Sequence, residues 1–357
     1  MMKKQLVMII LSIVLAIGSS GIAFADTAVT TSAEASFLDM PDNWSTAALN
    51  KAVSNQLLKG YAEEEGMLIK ADNPLTRAEM AAVVNRAFAS EAVADISKVT
   101  DVASSAWYAK DMAKAVKMGT FALDTVMRPD DKITRQEAFA VLARAFKLTG
   151  TDTKYQALDK FSDKADIAAW ALKDLDGLAA AGYIQGSDGK LNPKANITRA
   201  EFAVVMDNLV KQYIDEAATL SEVTASGNVM IRVPGVTLKN VTVKGDLIIA
   251  DGVGKGNATL DNVKVEGRTV VRGGGENSII IKGNSDLGKV IVSKVDGKVR
   301  ISVEGNADVE IIYVDDGSDD VFVEGTFGTV EVAGDNVTVF ATKATLTSGV
   351  VSGDNSK

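Results

Sequence analysis

Three arginines hold the same place in a repeated tetrapeptide: Arg77 in Thr76-Arg77-Ala78-Glu79, Arg135 in Thr134-Arg135-Gln136-Glu137, and Arg199 in Thr198-Arg199-Ala200-Glu201. A guanidinium offers a planar fork of donors that grips a carboxylate through two parallel hydrogen bonds, which lysine cannot reproduce. The tetrapeptide is also a capping box, in which threonine accepts from the N–H three residues on and glutamate reaches back to the threonine N–H. Thr76, Glu79, Thr134, Glu137, Thr198 and Glu201 are therefore read as helix-starting devices. Capping has no use for the arginine, and many residues satisfy helix propensity at that position. Its recurrence marks it as the candidate binding group, set beside the positive helix end and the open N–H groups of the first turn.

The elements that must carry these boxes can be read from the flanking pattern. Counting from each threonine, apolar residues fall at offsets 4, 7, 8, 11 and 12, as in Met80, Val83, Val84, Ala87 and Phe88, and the same offsets hold after Thr134 and Thr198. That period draws one apolar stripe along a helix, and three such stripes can bury one another as a three-helix bundle. Upstream of each box an aspartate precedes a tryptophan: Asp39 and Trp44, Asp101 and Trp107, Asp163 and Trp170, with the tryptophans 63 residues apart. A second helical pattern follows each tryptophan, and a loop rich in glycine or ending in proline joins it to the box. The aspartates are expected to cap a helix or brace the loop.

These residues resemble the S-layer homology (SLH) domain over roughly residues 34–214. The resemblance implies a pseudo-three-fold trimer within one chain, built from repeats at 34–92, 97–150 and 158–216. It further implies noncovalent docking on secondary cell wall polysaccharide of a Gram-positive-type envelope, with a pyruvylated sugar supplying the carboxylate. The glycan-binding positions carried over are Arg77, Arg135, Arg199, Trp44, Trp107 and Trp170, with loop glycines Gly182 and Gly186. A tryptophan gives such a site a flat apolar face and one N–H donor. The third loop, Gly182 to Gly189, fits the family pattern closely. The second reads Thr120-Phe121-Ala122 where glycines are usual, and the first has Gln56 at the loop-opening position. The groove involving the third repeat is expected to contribute most.

Composition narrows the chemistry. The chain contains no histidine and no cysteine, which excludes His-based acid–base catalysis, Ser-His triads and His or Cys metal sites. Lys3 and Lys4, the apolar Leu6–Ala16 stretch and Ala23-Phe24-Ala25 read as a signal peptide over residues 1–25. Removing it leaves 36 basic against 47 acidic residues, a net charge of −11. A chain so acidic is expected to repel phosphate backbones, so nucleic acid is excluded as a partner. No later segment has the roughly 20 apolar residues of a membrane span. No cofactor is expected.

After about Glu216 the helical stripes give way to short alternating runs ending in glycine at 245, 267, 283, 305 and 325. The two-residue period and the coil-length spacing predict an all-β domain over 222–352, a short β-helix of about six coils. A β-sandwich is the alternative. Asn240, Asn262, Asn277 and Asn284 suit positive-φ corners. Ten acidic and no basic residues lie between Ile301 and Thr342. Of these, Asp315, Asp316, Asp319 and Asp320 are a calcium candidate, although EF-hand spacing is absent, and a solvated acidic face is the simpler reading. The functional expectation is a non-enzymatic, exported cell-surface protein that displays the β-domain. An S-layer lattice subunit and a wall-anchored polysaccharide-degrading β-helix enzyme are the alternatives.

Overall fold

Each threonine box opens a helix, and the helix before it packs onto a neighbour. In the computed structural model, which describes residues 37–224, 226–315 and 320–357, the repeats contribute the helix pairs α1 (Thr46–Ser54) and α2 (Arg77–Phe88), α3 (Ala109–Lys117) and α4 (Arg135–Ala145), and α5 (Leu172–Ala180) and α6 (Arg199–Leu209). The expected signal peptide lies outside the described residues. The apolar stripes close one common core, with Met80, Val84, Phe88, Leu142, Phe146, Phe202 and Leu209 buried. Phe88 and Phe146 meet edge to face at 4.9 Å. Each box helix packs on the first helix of the next repeat: α2 on α3, α4 on α5, and α6 on α1.

A ring of backbone hydrogen bonds defines the pseudo-three-fold axis. The Leu75 N–H donates to Ile197 O (3.0 Å), Ile197 N–H to Ile133 O (3.1 Å), and Ile133 N–H to Leu75 O (3.0 Å). The loop of the following repeat also feeds carbonyls into each helix start. Arg77 and Ala78 N–H donate to Asp131 O and Pro129 O, Arg135 and Gln136 to Ala195 O and Pro193 O, and Arg199 and Ala200 to Asn73 O and Ala71 O. Asp39, Asp101 and Asp163 brace those same loops by accepting from Ile69 and Lys70, Met127 and Arg128, and Leu191 and Asn192. A loop pinned at both ends gives the repeat interface a fixed shape.

From residue 212 the chain winds into a parallel β-solenoid of about six turns. One face stacks Val229–Ile231, Leu247–Ile249, Thr269–Val271, Lys289–Val292 and Ile311–Val314 in register, and a second stacks Val236–Lys239, Ala258–Asp261, Ile280–Lys282 and Val299–Val303. Val321–Val332 pairs with both faces, and Val339–Val351 follows it. Inward valines, leucines and isoleucines fill the coil interior. Asn240 and Asn262 take positive φ at a corner, and their side chains hydrogen-bond down the stack toward Asn284. Asn277 and Asn284 do not adopt that conformation; Gly283, which reaches it at no steric cost, and Ile279 do instead.

The solenoid sits on the C-terminal ends of the helices. Its outward Met230, Ile248 and Val270 are buried in the helical core, each adding about 1.5–3 kcal/mol of apolar burial. Around them polar groups meet carbonyls that helices leave unsatisfied. Arg232 donates to Asn55 O and Arg86 O, Arg268 to Phe146 O and Lys147 O, and Arg272 to Ala145 O and Met118 O, while Asn228 donates to Leu209 O. Cations there also face the negative ends of the helix dipoles. Each arginine is held by a solenoid aspartate: Asp215, Asp246 and Asp251 respectively. The box helices thus present their N-termini at one end and the solenoid at the other, about 17 Å away for eleven residues.

Candidate functional site

All three boxes close as capping boxes, with each threonine accepting from the glutamate N–H and each glutamate accepting from the threonine N–H. The glutamate has a second task. Glu137 Oε2 caps its own helix while Oε1 accepts from Arg77 Nη1 at 2.8 Å, and Glu201 Oε1 likewise accepts from Arg135 Nη1 at 2.6 Å. Arginine and glutamate therefore tie each repeat to the next, a structural use of the arginine that capping alone does not reveal. The open first-turn N–H groups expected beside the arginines are not open, because the neighbouring loop carbonyls occupy them. An anion at this end must be held by side chains.

The third repeat interface differs. Tyr61, in the hairpin Tyr61–Glu63 and Gly66–Leu68, stands between Arg199 and Glu79. It donates to Glu79 Oε1 (2.7 Å) and accepts from Arg199 Nη1 (3.3 Å). Burial first, and then the hydrogen bond to Glu79, raise the Tyr61 pKa and keep it protonated as that donor. Arg199 also gives Nε to Ile69 O and Nη2 to Lys59 O, and only 4% of it is exposed. Burial lowers its pKa, yet a guanidinium remains charged at physiological pH. Every nitrogen of this arginine is committed inside the protein, because the hairpin fills the space in front of it.

Arg77 and Arg135 are placed otherwise. Each gives Nε to a loop carbonyl, Met127 O and Leu191 O, and Nη1 to the next glutamate, while Nη2 has no partner among the described residues. Arg135 lines a cleft of about 640 Å³ with Phe139, Gly186, Ser187, Glu201 and Trp44. Arg77 lines another of about 430 Å³ with Arg128, Lys132, Gln136, Glu137 and Trp170. Both volumes fall in the roughly 300–1,000 Å³ range of small-molecule sites. The tryptophan in each cleft comes from the repeat that supplies neither the arginine nor the glutamate, so all three repeats meet there. Trp44 and Trp170 are 66% and 53% exposed, leaving their faces available for an apolar ring surface.

Of the other expected site residues, Trp107 is exposed but lines neither cleft, stacking edge-on with Tyr108 instead. Gly186 is held at φ 69°, where an added Cβ would approach Lys190 O to 2.3 Å, so the cleft wall requires glycine. Gly182 also has positive φ but open space around it. Asp315 pairs with Lys147 at 2.9 Å. Asp316 and Asp319 lie outside the described residues, and among the described residues no carboxylate cluster could hold a metal ion.

The structure is thus an intramolecular trimer of helix–loop–helix repeats, joined through Thr-Arg-x-Glu boxes, with clefts at two of its repeat interfaces. The family model described as S-layer homology domain matches residues 36–81, 100–139 and 160–203, and the chain carries three repeats of that family followed by a β-solenoid. It is 35% identical over 174 residues to the Surface-layer 125 kDa protein of Lysinibacillus sphaericus, covering 43% of this chain and 14% of that protein. It is 32% identical over 168 residues to the Cellulosome-anchoring protein of Acetivibrio thermocellus, covering 43% and 35%. The Amylopullulanase of Thermoanaerobacterium thermosulfurigenes is 30% identical over 179 residues, covering 49% and 10%, and its match is confined to the repeat region. The chain thus spans a minor part of the length of each of these relatives. Among the described residues no helix is long and apolar enough to cross a membrane.

Proposed function

We propose that the protein is a non-enzymatic cell-surface protein, anchored noncovalently to secondary cell wall polysaccharide through the two open repeat clefts and displaying its solenoid. The ligand is an acidic saccharide, such as a pyruvylated sugar, whose carboxylate meets the free Nη2 of Arg135 or Arg77 while its ring lies on Trp44 or Trp170. The observation that carries this reading is the convergence, in each open cleft, of an arginine with one uncommitted nitrogen and an exposed tryptophan. The names of the surface-layer and anchoring relatives support a wall-bound role. Arg199 and Trp107 stand outside the binding set, so the third-repeat loop acts through Arg135 of the second repeat.

The test is Arg135→Lys in sedimentation with purified walls, before and after removal of the secondary polymer. Lysine keeps the charge but loses the fork, so binding to intact walls is expected to weaken about 10-fold. Unchanged binding, or equal binding to stripped walls, contradicts the proposal.

A further inference from the structure

A third concavity, of about 750 Å³, lies where the repeats meet the solenoid. One wall is the segment 147–153 with Lys173 at the start of α5, and the other is the outward face of the solenoid at Lys289, Ile291 and Tyr313. The outward positions form one ladder through the coils: Met230, Ile248, Val270, Ile291, Tyr313 and Glu331. The first four are buried, so Tyr313 is where the ladder emerges from under the repeats. The opposite wall is held firmly. Gly150 N–H donates to Lys173 O at 2.9 Å, and the segment runs so close to α5 that a Cβ on Gly177 would approach Leu148 O to 1.7 Å.

The charge of this cleft opposes that of the chain. Among the described residues, Lys147, Lys173, Arg268 and Lys289 line it with one carboxylate, that of Asp315, in a protein whose formal net charge is −9. Lys147 is paired with Asp315 and Arg268 with Asp246. Lys173 and Lys289 make no ion pair among the described residues, and Lys289 Nζ stands 4.7 Å from the Tyr313 ring centroid. Thr149, Thr151 and Thr153 add hydroxyls to the rim. Two unpaired ammonium groups, an aromatic face and a row of hydroxyls match one chemistry, that of a carboxylate-bearing saccharide.

We propose that this junction cleft is a further subsite for an acidic glycan, in which Lys173 and Lys289 receive the carboxylate, Tyr313 supports a sugar face and the threonines hydrogen-bond hydroxyls. It rests on the reading that the repeat clefts take acidic glycan. The sequence supports continuity, since Trp170 of one repeat cleft lies in the 3₁₀ turn Ala169–Ala171 that leads into α5, three residues before Lys173 of this one. A polymer leaving the Trp170 cleft would meet the junction cleft next, which makes the solenoid part of the binding surface.

The test uses the full chain and oligogalacturonate, with its methyl ester as the neutral control, titrated calorimetrically at low and at about 0.5 M salt. Lys173→Gln with Lys289→Gln is expected to weaken oligogalacturonate binding about 5-fold at low salt and less than about 2-fold at high salt, leaving the methyl ester unaffected. In a Trp44→Ala/Trp170→Ala background, residual oligogalacturonate binding that the lysine changes abolish supports the subsite. An unchanged affinity after the lysine changes, or no residual binding in that background, overturns it. Either result leaves the repeat-cleft reading intact, because that reading is measured separately, by wall binding of the Arg135 and tryptophan variants.

Discussion

Arg272→Ala tests whether repeats and solenoid are one cooperative body. The Arg272 side chain is fully buried, donates Nε to Asp251 at 2.8 Å, and reaches Ala145 O and Met118 O at the ends of two helices. Its guanidinium also lies over the Phe88 ring at 5.4 Å. Truncation leaves the Asp251 carboxylate, 8% exposed, with no cation, and removal of one partner from a buried pair costs about 3–5 kcal/mol. Two helix-end carbonyls lose a donor in the same step. At about 2–4 °C per kcal/mol for a large domain, the melting temperature should fall by roughly 10 °C in calorimetry. The double variant Arg272→Met/Asp251→Leu removes both charges and fills the space, so it should recover most of the loss. A fall of under about 2 °C for Arg272→Ala, or a double variant as unstable as the sum of its singles, refutes the reasoning.

Other outcomes follow from the same geometry. Tyr61→Ser removes the group that fills the third interface and frees Arg199 Nη1, so calorimetric stoichiometry for wall oligosaccharide should rise by about one site per chain over the parent; an unchanged stoichiometry counts against the blocked-cleft reading. Asp207 joins α6 to α1 through Lys51 at 2.6 Å and also meets Lys211. Burial alone would raise its pKa, but the two lysines hold it below the usual carboxylate value. A lowered folded-state pKa contributes stability above the unfolded value of about 3.9 and loses it as pH falls through the folded value. Asp207→Asn should therefore destabilise at pH 7 and be nearly neutral at the acid end, read by urea unfolding at both pH values; a pH-independent effect is the contrary result.

The capping boxes, the apolar stripes and the coil period were all legible in the sequence, because each follows from residue spacing along one element. The partnership of Arg77 with Glu137 and of Arg135 with Glu201 was not, because it joins two copies of a motif that reads identically in each. Tyr61 was hidden for a related reason. A loop that departs from the glycine pattern looks weakened, yet here its extra length folds into a hairpin that places a side chain in the cleft. The docking of the solenoid did leave a signal. Met230, Ile248 and Val270 are apolar at outward positions where the other face carries Thr237 and Thr259, and a strand buried on both sides reads as a continuous apolar run. Arg232 and Arg272 carried no such pattern, since their purpose is set by helix ends far away in sequence.

The most direct test of the central claim, that two repeat clefts hold an acidic wall glycan, compares the three exposed tryptophans in one equilibrium assay. Purified wall polysaccharide, native and with its carboxylates reduced to alcohols, is titrated into the full chain and its Trp44→Ala, Trp170→Ala and Trp107→Ala variants. The account predicts about 10-fold weaker binding for Trp44→Ala, a clear loss for Trp170→Ala, parental binding for Trp107→Ala, and loss of all differences on the reduced polymer. Equal losses at all three tryptophans, or undiminished binding of the reduced polymer, would contradict it.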